Sequence, residues 1–233
     1  MIQMLIKLLR GTDWELLTGF ASPAFFEVVP SLGMTRVFMR IAKDYASSSD
    51  FDRAFKKAKK ALPKIPRGMG NDPAVQGRAV LELFFKQIFD FDSAVMDLRS
   101  SAFQFNADKV VWNPKPLFYV WDPEFVLALR KMYRGFYRND EVEYMAGLEA
   151  LDLSHAKAAF KSHFGEGDQS SVRFTLASFK KSFHSVFESC KKNGTRLHPD
   201  FFALGAYLLC LYEHLEGLDV PLDVRGAFYA VVD

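Results

Sequence analysis

Apolar residues recur at three- and four-residue intervals along most of this chain, and one stretch breaks the rule by having almost no polar side. From Phe201 to Tyr212 no residue is charged. On a helix, Phe201, Leu204, Leu208, Leu211, Tyr212 and Leu215 share one face, and the opposite face holds the small residues Ala203, Ala206 and Cys210. A helix apolar all round is buried in protein or membrane. This one is shorter than the roughly 20 residues a membrane span needs. The pattern therefore predicts a buried central helix over about 200–216, opened by Pro199-Asp200 and stopped at Gly217.

Amphipathic helices surround it. Val80, Phe84, Ile88, Phe91 and Val95 form one stripe, in a helix predicted from Pro73 through Leu98. Asp122-Pro123-Glu124 starts another, with Phe125, Leu129, Met132 and Phe136 inward. A third helix is expected from about Ser171 to Lys192, its seam made by Val172, Leu176, Phe179, Phe183, Val186 and Cys190. Shorter helices are expected over Met1–Leu9, Met34–Ala46, Phe51–Leu62, Glu141–Leu151, Ser154–Phe164 and Pro221–Val232. The period changes between Ala102 and Trp112, where β-rich ends flank a four-residue Asn-Ala-Asp-Lys turn. That reads as a hairpin, with a third short strand in LFYVW. The fold class is mainly α: an irregular multi-helix bundle around the central helix, with a small β-hairpin insertion near 102–121.

Pro63 to Pro73, with three prolines and two glycines, is the one linker-like stretch. It divides an N-terminal helical segment, 1–62, from a main bundle, 74–233, or else wraps that bundle as a loop. Its glycines lack the strand and the Gly-Lys-Ser/Thr ending of a phosphate loop.

Composition changes the picture in two places. Twenty-four phenylalanines against eight tyrosines imply a phenylalanine-rich core, which can be well filled or can hold an apolar small molecule. Charge is uneven: Arg36 to Arg67 holds ten Lys or Arg against three acids, whereas Gly68 to Leu153 holds nine against thirteen. Lys56, Lys57 and Lys60 lie opposite the apolar face of their helix, and Arg36 and Arg40 belong to the preceding one. These five are the candidate contacts for an anionic partner: a lipid headgroup, a nucleic acid or an acidic protein surface. A net charge of only +2 argues against a dedicated nucleic-acid binder.

Candidate chemistry is sparse. His184 and Glu188 stand four apart, and Glu213, His214 and Glu216 cluster at the end of the central helix. Helical bundles that hold iron or manganese project such residues inward, in Glu-x-x-His sets. Here that motif is absent, and His184 and Glu188 point roughly 110° and 150° away from their helix's apolar seam. His184, Glu188, Glu213 and His214 are thus weak metal candidates, and neither metal nor cofactor is expected. No catalytic pattern joins His155, His163 and His198. Cys190 and Cys210 read as buried thiols. MIQMLIKLLRG lacks the features of a signal peptide, so a cytoplasmic location is expected. Three functions follow: a non-enzymatic binding protein that presents a basic helix, a carrier or sensor of an apolar ligand, and a helical metalloenzyme.

Overall fold

The computed structural model describes residue 28, residues 48–164 and residues 171–232. The expected helices over Met1–Leu9 and Met34–Ala46, Arg36, Arg40 and the side chain of His163 lie outside the described residues.

The fold is mainly helical. Among the described residues the order is α1 (Ser48–Lys60), α2 (Pro73–Asp90), β1 (Ser93–Val95), β2 (Phe103–Asn106), β3 (Lys109–Trp112), β4 (Phe118–Val120), α3 (Pro123–Tyr137), α4 (Glu141–Ala150), α5 (Lys157–Phe164), α6 (Leu176–Asn193), α7 (Asp200–Leu218) and α8 (Val224–Val232). Among the described residues no helix is long and apolar enough to cross a membrane.

Short polar side chains set the helix starts. Asp72 accepts from Ala74 N ahead of α2, Asp122 from Glu124 N and Phe125 N ahead of α3, and Thr175 from Ser178 N ahead of α6. The last of these corrects the predicted start near Ser171: Val172 lies outside the helix and instead pairs its backbone with Leu222. At the other end of the fold, α7 runs through Gly217 and is capped by Asp219 in the left-handed region, with φ of 51°.

α2 stops at Asp90, eight residues before the predicted helix end at Leu98. Phe91 turns extended, and Arg130 donates to the carbonyls of Ile88 (2.7 Å) and Phe91 (2.9 Å), which removes the need for a further turn. The chain then doubles back. The buried amide of Gln87 accepts from Val95 N (2.8 Å) and donates to Val95 O (3.2 Å) and to the Tyr207 hydroxyl (2.8 Å). Val95 thus belongs to a strand, β1, paired antiparallel with β4. The hairpin is β2–β3, in register Phe103↔Trp112 and Asn106↔Lys109, so its loop is the two residues Ala107-Asp108 rather than four. The expected third strand is not part of that hairpin; it is β4, the partner of β1.

Leu204, Leu208, Leu211, Tyr212 and Leu215 of α7 are buried, as expected, but α7 is not enclosed all round: Phe202, Ala206 and Cys210 are only partly buried. α2 shares the centre with it. Leu81, Leu83, Phe84, Phe85 and Ile88 are all buried, and α2 contacts α1, α3, α7, α8 and β1. The two helices meet around Phe84 and Tyr207, whose rings lie 5.2 Å apart. The buried carboxylate at the start of α7, Asp200, accepts from the Tyr119 hydroxyl and from Asp122 N, both at 2.7 Å, and so ties α7 to the β4–α3 junction. Pro63–Pro73 lies along the hairpin tip: Gly70 N donates to Ala107 O (3.1 Å), and a Cβ at Gly70 would overlap the Asn106 carbonyl.

Candidate functional site

α1 presents two chemically distinct faces. Phe51 and Ala58 are buried, and Phe55 sits edge-on to Trp112 with ring centroids 5.5 Å apart. Lys56, Lys57 and Lys60 are exposed on the other side. Lys57, Lys59 and Lys60 occupy the last turn, where cations meet the negative end of the helix dipole. That placement alone accounts for part of the basic charge.

Beside this last turn lies an open groove of about 680 Å³, walled by α1 and the residues after it, by the outer stripe of α2, and by the end of α8. Lys57, Lys60 and Lys86 supply cations, and Leu62, Phe91 and Val231 an apolar floor. The α2 wall neutralises itself, with Arg78–Glu82 at 2.8 Å and Lys86–Asp90 at 3.3 Å. Among the described residues, Lys57 and Lys60 have no carboxylate in ion-pair range. The groove therefore offers two uncompensated ammonium groups next to apolar surface. Of the predicted contacts, Lys57 and Lys60 line it, while Lys56 is exposed outside it. Lys86 and Val231 were not among the contacts the sequence suggested, and Phe91 was read only as part of the apolar stripe of α2, although the i, i+4 alternation of Arg78, Glu82, Lys86 and Asp90 marks the α2 wall.

The metal candidates have other duties. His184 and Glu188 are exposed on α6, facing each other at 3.9 Å. Glu213 accepts from Ser100 N (3.1 Å) and Ser100 Oγ (3.2 Å), and Glu216 from Leu176 N (2.9 Å) at the start of α6. His214 is buried, with Nδ1 2.9 Å from the Leu98 carbonyl and its ring 5.0 Å from that of Phe103. A carbonyl only accepts, so Nδ1 carries the proton. Burial holds this imidazole's pKa below its ordinary value, with the Leu98 bond partly opposing. Among the described residues no three His, Cys, Asp or Glu side chains come together as a metal site. The polar last turn of α7 is a hub that fastens neighbouring backbone.

The structure also assembles a cluster that no sequence spacing suggests. His155 Nδ1 lies 2.8 Å from Ser189 Oγ, and its Nε2 lies 3.0 Å from Thr195 Oγ1. Ser189 Oγ donates to His155 O (3.1 Å), so it must accept from Nδ1–H; this leaves Nε2 to accept from the Thr195 hydroxyl. A hydroxyl on an imidazole is a nucleophile–base pair in outline. The nearby backbone donors are committed, however: Gly194 N to Lys191 O and Thr195 N to Cys190 O. The cluster thus joins the turn at Ser154–Ala156 to the end of α6 and the residues just after it.

Leu208 and Phe183 line one apolar cavity with Phe160, Phe187 and Phe201, yet its volume is only about 20 Å³, the room of one water. Phe183 is half-buried, not fully buried as its place in the seam suggests. The Cys190 thiol is buried and its pKa pushed up to about 12, so it is inert at neutral pH. Comparison with protein-family models, with curated proteins and with solved structures gives no match.

Proposed function

We propose that the protein is a non-enzymatic binding protein that uses the C-terminal turn of α1 to hold an anionic partner. The observation that carries this reading is the pair Lys57 and Lys60, exposed on the wall of a groove and lacking carboxylate partners among the described residues. Charges left uncompensated beside apolar surface attract a ligand of opposite sign. The small size of the phenylalanine-lined cavity gives the carrier reading less support, since ligand pockets hold about 300–1,000 Å³. We place the protein in the cytoplasm, a setting supported by two cysteines, Cys190 and Cys210, that are both free thiols.

Binding to acidic polypeptide, anionic vesicles and duplex DNA, measured across a salt series, tests this reading. The wild-type chain binds at least one of these with an affinity that falls as salt rises. A variant carrying Lys56→Glu, Lys57→Glu and Lys60→Glu loses that binding. Equal, negligible binding by both proteins would refute the reading.

A further inference from the structure

The groove beside α1 combines cations with apolar surface, and its two walls differ. On the α1 side Lys57 and Lys60 stand at i, i+3, which places their Cβ atoms about 5–6 Å apart along one edge. On the α2 side Glu82 and Asp90 alternate with Arg78 and Lys86 in closed pairs. Leu62, Phe91 and Val231 form the floor between them.

We propose that this groove takes an amphipathic segment of a partner protein, with acidic residues along one edge and apolar residues on the adjoining face. The inference rests on the anionic-partner reading and narrows it. Carboxylates at i, i+3 or i+4 of a helical segment match the spacing of Lys57 and Lys60, and the apolar face covers Leu62, Phe91 and Val231. The other anionic partners fit less well. A uniform polyanion such as duplex DNA would bring phosphates against Glu82 and Asp90. A flat bilayer surface does not enter a concave groove, and its headgroups would leave the apolar floor uncovered.

The test compares four probes on the full chain. They are a helical peptide of about 15 residues with a glutamate edge and a leucine face, a charge-matched peptide with serine for every leucine, anionic phosphatidylserine vesicles, and duplex DNA. The amphipathic peptide binds about tenfold or more tighter than its serine counterpart, a difference of about 1.4 kcal/mol. A Lys57→Glu/Lys60→Glu variant loses both peptides. Leu62→Ser and Val231→Ser, each checked for unchanged helicity, bring the amphipathic peptide down to the level of the serine one. If the two peptides bind alike, or vesicles or DNA outcompete them, this inference is overturned while the anionic reading stands. If no probe binds, both fall together.

Discussion

At His214 the chain buries an imidazole and sets its Nδ1 against the backbone carbonyl of Leu98. Because burial holds the native pKa below the ordinary value of about 6.5, the unfolded chain takes up a proton that the native state excludes. The contribution of this residue is therefore complete above the unfolded pKa and is lost as pH falls through the native one. Urea melts at about pH 8 and about pH 5.5 should show wild type losing more stability than a His214→Gln variant, whose amide can still donate to Leu98 O. An equal loss in both would show that His214 is not linked to folding. The same residue explains why the polar end of α7 misleads a reader of the sequence: Glu213, His214 and Glu216 resemble ligands in type, yet each meets a separate piece of backbone.

Where α3 packs on α4, glycine makes the close approach possible. A Cβ at Gly147 would stand 2.5 Å from Met132 N and 2.8 Å from Met132 Cα; one at Gly135 would overlap the backbone of Tyr144. These are backbone atoms of a neighbouring helix and cannot swing aside. Gly147→Ala should cost about 1–3 kcal/mol despite alanine's better helix propensity, because overpacking outweighs it. Gly217→Ala meets nothing within 4 Å and should be neutral or stabilise by up to about 1 kcal/mol. Chemical denaturation of the two variants checks the opposite signs; a stabilised Gly147→Ala would mean that the helices do not touch there. Both glycines sit inside helices, α4 and α7, although the sequence pattern reads Gly217 as a helix stop, and neither position reveals in sequence how close a neighbouring backbone lies.

Across the whole molecule the core has two axes, α2 and α7, rather than one. Leu208 lies near their meeting with α3 and α6 and is buried, whereas Phe183, which lines the same cavity, is only partly buried. Leu208→Ala should cost about 2–5 kcal/mol, through lost transfer energy and an enlarged void, and Phe183→Ala less. Thermal melts of both variants measure the order; a larger drop for Phe183→Ala would place the centre of the fold elsewhere. Local sequence alone, through periodicity, capping residues and turn chemistry, determined the helical class, the starts at Asp122 and Asp200, the hairpin strands and the basic outer face of α1, because each depends on neighbours within a turn or two. Tertiary structure decided where α2 ends, since Arg130 and Gln87 act across the fold. It also decided that β4 pairs with β1, that α2 is as central as α7, and that Lys57, Lys60 and Lys86 line one groove with Leu62, Phe91 and Val231. Those outcomes depend on which surfaces meet when distant segments pack, and the spacing of residues along one element carries no record of that.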